Sequence, residues 1–340
     1  MLSIGRSHQS VLRFWGQKEN VFRVERGCVP DFRVALSRGD MADLPIHAVG
    51  LIGLGRMGLP LGRLLCAQGV PVVAFNRTPA RAELLSASGA RIVSSPAEVA
   101  RSVSLMLTVV TGPEDLREVL SGRAGVIGGA RAGSIVVDLS TIDAVTSSEL
   151  AEALRARGIE MLDAPMSGSV HDAEQGTLGL MVGGDAGVLV RARPVLSRIA
   201  RHIHHFGPNG AGCTAKLALN GLVAAMAQSL AEALAFLERA GGSRALFLEA
   251  LAASGLSSPL YSRVGQRALA QDFEARFALR LLHKDLGLLA TSSRSLGVDL
   301  PLGDVVAKLV AARAAAHGER DYAFLVEAQR LTSGLPDSNA

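Results

Sequence analysis
From Ala48 onward, apolar residues come in short unbroken runs set between stretches of helical spacing. Ala48–Leu54 and Val70–Phe75 are two such runs, and the segment from about Met57 to Ala67 between them carries the period of an α-helix. That is the pattern of one βαβ unit. Ser102–Val110 and Ser134–Leu139 are apolar and β-branched with polar ends, which predicts strands buried on both faces of a parallel sheet. Helical spacing returns at Glu114–Leu120 and Ala144–Arg157, and further strands are expected at Ile159–Ala164, Leu178–Val182 and His202–Phe206.

After Gly212 the strand signals stop. Thr214–Ala240 keeps helical spacing until Gly241-Gly242, a good stop signal. A helix of that length spans about 40 Å, so it is expected to run through a helical domain or across a dimer. Ser243–Ala253, Ser258–Ala270, Ala278–Ser295 and Gly303–His317 predict four more helices. The chain therefore reads as α/β. A Rossmann-like doubly wound sheet with extra strands occupies residues 44–208, and an all-α domain for substrate and dimer contacts occupies 209–333. Residues 334–340 read as a frayed tail.

Composition narrows the function. Only 4% of the 340 residues are aromatic, so aliphatic side chains must fill both cores. The net charge is +4, but residues 1–40 hold seven basic and four acidic side chains, leaving 28 basic and 27 acidic in the rest. No basic stripe remains for nucleic acid. The most apolar long segment, Gly221–Ala240, is interrupted by Gln228, Ser229, Glu232, Glu238 and Arg239, so no membrane span is expected. Residues 1–43 lack the apolar core of a signal peptide. They read as a disordered leader, or as an extension upstream of a working start at Met41. Cys28, Cys66 and Cys213 are sparse and odd in number, which suits neither a disulfide framework nor a metal site and points to the cytoplasm. Cys213, near a helix start, is read as a packing residue.

Gly53-Leu54-Gly55-Arg56-Met57-Gly58 fits G-x-G-x-x-G between a strand and a helix. In that setting the first glycine makes the tight turn, the second lets the backbone approach a pyrophosphate, and the third lets the helix pack close to the strand. The second strand ends in Asn76-Arg77-Thr78, where an NAD enzyme usually has an acid for the ribose hydroxyl. Asn76 can bond the ribose and Arg77 can pair with a 2′-phosphate. NADP is the expected cofactor, with NAD also accommodated.

Four blocks in order make the chain from about His47 to Tyr322 resemble the β-hydroxyacid dehydrogenases, which include 3-hydroxyisobutyrate dehydrogenase and semialdehyde reductases. The first is the glycine turn with Asn76-Arg77-Thr78. The second, Asp163-Ala164-Pro165-Met166-Ser167-Gly168 with Gly176-Thr177-Leu178 and Met181-Val182-Gly183-Gly184, resembles that family's substrate loop. The third is Gly207, Gly210 and Gly212 followed by Lys216 and Asn220, resembling its catalytic helix. The fourth, Lys284-Asp285-Leu286, resembles a motif whose lysine reaches the cofactor, and Asp138-Leu139-Ser140-Thr141 matches a segment beside the nicotinamide.

The resemblance implies a proton-transfer role for Lys216 and substrate contacts from Ser167, Gly168, Ser169 and Asn220. It implies cofactor contacts from Val110, Thr141 and Lys284, and a homodimer or homotetramer. Physically, Lys216 and Asn220 share a helix face at i, i+4. An ammonium there can give a proton to a carbonyl oxygen if burial lowers its pKa. A helix cap remains an open reading for Thr141, and a surface lysine for Lys284.

The pattern breaks in two places. Ser169 and Asp172 stand where the family usually has glycine. Asp172 either points inward, repelling a carboxylate or pairing with His171, or points outward and changes little. Val110-Thr111-Gly112 replaces a usual Leu-Pro-Asp in a loop expected near the cofactor. The reading is hydride transfer between NADP and a short 3-hydroxy acid or its semialdehyde. The alternatives are an imine reductase, which usually has Asp or Tyr in place of Lys216, and a non-catalytic NADP-binding module.

Overall fold
Strand β1 (Val49–Ile52) feeds the glycine turn and helix α1 (Gly58–Ala67), and β2 (Val72–Phe75) pairs in parallel with β1. The computed structural model describes residues 48–336; the leader and the end of the tail lie outside them. The chain continues through α2 (Pro79–Ser86), β3 (Arg91–Ile92), α3 (Pro96–Ser102), β4 (Leu105–Thr108), α4 (Pro113–Ser121), β5 (Ile135–Asp138), α5 (Ala144–Arg155) and β6 (Glu160–Asp163). These six strands are parallel and lie in the order β3-β2-β1-β4-β5-β6, the order of a doubly wound sheet.

Extra strands extend one edge. After β7 (Met166–Ser167) and α6 (Val170–Gln175), β8 (Leu178–Gly183) pairs antiparallel with β6 and β7. Helix α7 (Ala186–Ile199) then leads to β9 (Ala200–Gly207), which pairs in parallel with β8. Two layers of buried aliphatics cover the sheet. Leu51, Leu107, Val137 and Leu162 face one side, while Ile52, Met106, Val136 and Met161 face the other. That alternation is what a strand buried on both faces requires.

Helix α8 (Ala211–Arg239) starts against the sheet and ends inside a helical core. It is long and apolar enough, by length and composition, to cross a bilayer. Its Ala224, Ala227, Leu230, Ala231 and Leu234 are instead buried among α9 (Arg244–Ala252), α10 (Pro259–Leu269), α11 (Leu279–Ser295), α12 (Pro301–His317) and α13 (Phe324–Thr332).

Several elements go beyond the sequence expectation. Helices α2 and α3 start with proline after a Thr or Ser, and α7 follows its N-cap Asp185, whose side chain accepts from Val188 N at 3.0 Å. None of the three is anticipated by periodicity. Pro194 inside α7 and the shortness of α2 and α3 hide the helical period there. The expected strand at Ser102–Val110 is shorter, because α3 runs through Ser102 and β4 begins at Leu105.

Candidate active site
Ligands of a doubly wound sheet bind outside the carboxyl ends of its strands, where the order reverses. Here that point lies between β1 and β4. Gly53 follows β1 with φ +97°, and a Cβ on it would overlap the Val109 carbonyl oxygen. Gly58 packs as closely on the Gly53 carbonyl. Gly55 differs: the nearest atom to a Cβ there is Arg81 Nη1 at 3.9 Å. Its face is open, so a side chain would intrude on whatever binds. No side chain caps the start of α1; Leu59 N and Leu61 N already donate to the Gly55 and Met57 carbonyls and Pro60 has no N–H, so the turn amides from Gly55 to Gly58 are the ones left for an anion.

A cleft of about 630 Å³ opens beside the turn. Gly53, Gly55, Asn76, Arg77, Thr78 and Val110 line it, and so do Arg81, Ser94 and Ser95, which the sequence pattern does not single out. Arg81 follows Arg77 by four residues and brings a second guanidinium to the same wall. Arg77 is 86% exposed and lies 3.1 Å from Asp115 Oδ1, an ion pair weak enough to be exchanged for a ligand.

Other turn residues face elsewhere. The Leu54 side chain is buried, and its N–H donates to Asn76 Oδ1 at 2.8 Å. Asn76 Nδ2 donates to the Thr78 carbonyl at 2.9 Å. The Asn76 amide, expected to bond a ribose, thus ties the glycine turn to the end of β2. Met57 packs on the sheet core. Arg56 Nη2 donates to the Ala275 carbonyl, linking the turn to the segment before α11.

The Val110–Gly112 loop leads from this cleft toward the helical domain. Val110 N donates to Ser140 Oγ at 2.9 Å, Thr111 lines the cleft, and Gly112 lies against the Lys284 stem. Lys284 Nζ donates to the Thr141 carbonyl at 2.7 Å and stands 2.9 Å from Asp285 Oδ1. Asp285 Oδ2 accepts from Asn220 Nδ2 at 2.6 Å. Asp285 thus joins Asn220 to Lys284, and Lys284 in turn reaches the main chain of Thr141, so residues of three separate motifs are linked. The neighbouring Asp143, not Thr141, caps α5, accepting from Thr146 N at 2.9 Å.

Lys216 lies on the same face of α8 as Asn220. Among the described residues it makes no hydrogen bond or ion pair. Burial pulls its pKa below the ordinary lysine value, the Asp285 carboxylate pulls it back up, and the Lys284 ammonium pushes it down again. Burial raises Asp285 against the pull of Lys284, Lys216 and Asn220. An ammonium with a lowered pKa and no bonded partner is suited to passing a proton.

The loop after β6 resolves the question of Asp172. Ser169 caps α6 with φ −97°, extended backbone that needs no glycine. Asp172 Oδ2 accepts from both Ser169 N and Ser169 Oγ at 2.7 Å, and Thr177 Oγ1 donates to Oδ1 at 3.1 Å. The carboxylate turns back into its own capping box rather than toward a substrate or His171. Burial would raise its pKa, but the bonds from Ser169 and Thr177 outweigh that and hold it low. Gly168 does need to be glycine: its φ is +142°, and a Cβ would lie 2.8 Å from Leu178 Cδ2. No hydrogen bond joins Ser167, Gly168 or Ser169 to Lys216 or Asn220 among the described residues. Cys213 is buried beside Asp163 and Asp138, and burial with those charges raises its thiol well above the usual range. It is inert packing.

Two family models match the chain one after the other. A family model described as the NAD binding domain of 6-phosphogluconate dehydrogenase matches residues 48–207. One described as NAD-binding of NADP-dependent 3-hydroxyisobutyrate dehydrogenase matches residues 210–328. The chain is 32% identical over 289 residues to 2-(hydroxymethyl)glutarate dehydrogenase of Eubacterium barkeri, covering 84% of this chain and 96% of that one. It is 30% identical over 293 residues to 3-hydroxyisobutyrate dehydrogenase of Pseudomonas aeruginosa, covering 84% and 98%. A solved 3-hydroxyisobutyrate dehydrogenase of Mycobacterium tuberculosis with L-serine superposes with a TM-score of 0.79 at 30% identity, covering 84% of this chain and all of that one.

Proposed function
The chain belongs to the β-hydroxyacid dehydrogenase family and is an NAD(P)-dependent enzyme of that kind, and from that premise we propose that it uses NADP to interconvert a short 3-hydroxy acid and its semialdehyde, with Lys216 carrying the proton. The observation behind this is the chain of contacts from Asn220 through Asp285 and Lys284 to the Thr141 carbonyl, with a Lys216 side chain that has no partner among the described residues on the Asn220 face of α8.

The residues present fit a dinucleotide: Gly55 opens on the crevice, the amides from Gly55 to Gly58 have no backbone acceptor among the described residues, and the cleft is lined by two guanidiniums and several hydroxyls. Bound there, the cofactor supplies the hydride. The turn amides from Gly55 to Gly58 would hold its pyrophosphate, and Arg77 with Arg81 would take a 2′-phosphate. Val110, Thr141 and Lys284 would hold its nicotinamide end. Lys216 gives a proton to the carbonyl oxygen in reduction and takes it back in oxidation, while Asn220 orients the substrate. In the loop after β6, Ser169 is engaged by Asp172, so a substrate carboxylate is left to Ser167 and the amide of Gly168.

The test is NADPH consumption with a panel of semialdehydes. A Lys216→Ala variant that binds NADPH and keeps full turnover would refute the assigned role. Imine reduction gains nothing from this site, since Asp172 is occupied in its capping box. We further propose a cytoplasmic homodimer or homotetramer joined along α8, where Leu222 and Phe236 are 62% and 78% exposed. Light scattering at assay concentration would read its mass.

A further inference from the structure
Asp163 is the first residue of the Asp-Ala-Pro motif, and no role in cofactor or substrate contact falls to it. It ends β6 and is fully buried. Its Oδ1 accepts from Gly210 N at 2.7 Å and its Oδ2 from Cys213 N at 2.9 Å. These are the amides of the N-cap of α8 and of its third residue, and the N-cap, Gly210, has no side chain of its own to offer. A helix start leaves such donors orphaned, and a carboxylate there also meets the positive end of the helix dipole.

We infer that Asp163 is a positioning residue whose carboxylate seats the start of α8 on the sheet and thereby fixes where Lys216 stands. Gly212, between the two donors, makes the seat close. A Cβ on it would lie 2.8 Å from Asp163 Oδ2 and would overlap the Met181 carbonyl oxygen. Lys216 follows Cys213 by three residues, about one helical turn, so a shift at the seat passes directly to the ammonium.

The neighbouring strand end does the same for the other wall of the site. Asp138 stands beside Asp163 in register. Its Oδ1 accepts from Thr108 Oγ1 and Ser140 Oγ at 2.7 Å each, and Ser140 Oγ in turn accepts from Val110 N. Adjacent carboxylates thus hold the Val110–Gly112 loop and the helix that bears Lys216. Asparagine cannot replace Asp163 in this role. It offers one acceptor oxygen, and its NH₂ group would face a backbone N–H donor.

The inference rests on the proton-transfer role of Lys216, and the experiment separates the two. Asp163→Asn, Gly212→Ala and Lys216→Ala are compared by turnover per bound NADPH and by the pH profile of that turnover. Asp163→Asn and Gly212→Ala are expected to bind NADPH within about 2-fold of wild type and to lose about 10- to 100-fold in kcat, the scale of a roughly 1 Å misplacement. The alkaline limb of the profile moves to higher pH as the displaced ammonium becomes better solvated. A purely structural role lowers the amount of NADPH-binding protein without moving that limb. Wild-type kcat and an unmoved limb in Asp163→Asn overturn the inference. If Asp163→Asn yields no protein that binds NADPH, Gly212→Ala is judged by the same two readings. Full turnover in Lys216→Ala overturns the Lys216 reading itself.

Discussion
Asn220 Nδ2 donates to Asp285 Oδ2 at 2.6 Å, joining α8 to α11 across the floor of the site. The same carboxylate raises the pKa of Lys216 against the effect of burial. Asp285→Asn is therefore expected to lower that pKa. Reduction needs Lys216 protonated, so its turnover is lost as pH rises through the Lys216 pKa. The alkaline limb of kcat should shift to lower pH, by about one pH unit. A pH series with NADPH and the best semialdehyde measures this, and an unmoved limb would separate Asp285 from Lys216.

Arg77 is exposed and borders the cleft with Arg81, and no acid stands at the end of β2. Arg77→Ala should cut kcat/KM with NADPH by about 10- to 100-fold, the worth of one charge-assisted hydrogen bond. With NADH the change should stay within about 2-fold. Equal losses with both cofactors would remove Arg77 from the 2′-phosphate.

Asp138 is fully buried and its Oδ2 has no hydrogen-bond partner, so burial pushes its pKa from 3.8 up to about 6. A carboxyl whose folded pKa is raised favours the fold while protonated, and that advantage is lost as pH rises through the window from 3.8 to about 6. Asp138→Asn keeps an acceptor oxygen and removes the charge. Above that window it should recover stability on the order of 3 kcal/mol at most, and below it the gain should vanish. Denaturant melts at acid and neutral pH test the sign, and a pH-independent difference would sink the argument.

Asp172 closes the capping box of α6. Asp172→Asn should destabilise the protein by about 1 kcal/mol, as loss of a cap does. KM for a carboxylate substrate should hold or rise as the loop loosens. A clear fall in KM would mean that the charge faces the substrate after all.

Much of the site was legible along the chain because each part is local. Gly53, Gly55 and Gly58 follow from what a tight turn and an approaching ligand demand, and Lys216 and Asn220 share a face by helical period alone. Asn76 shows where this stops. Its type suits a ribose, yet its amide serves Leu54 N from 22 residues away. The geometry of Ser169 and Asp172 is also local, but a missing glycine suggests strain until the φ of −97° removes it.

Sequence alone determined the doubly wound half, the long helix, the glycine turn and the motif residues, since hydrophobic period and backbone permissiveness act over a few neighbouring positions. Only the tertiary structure decided that Asp285 gathers Asn220, 65 residues away, that Lys284 reaches Thr141, 143 residues away, and that Arg56 leaves its turn for Ala275. Such partners are chosen by how sheet and helices pack. A buried carboxylate accepts whichever donors the packing brings to it, and no spacing along the chain encodes that choice.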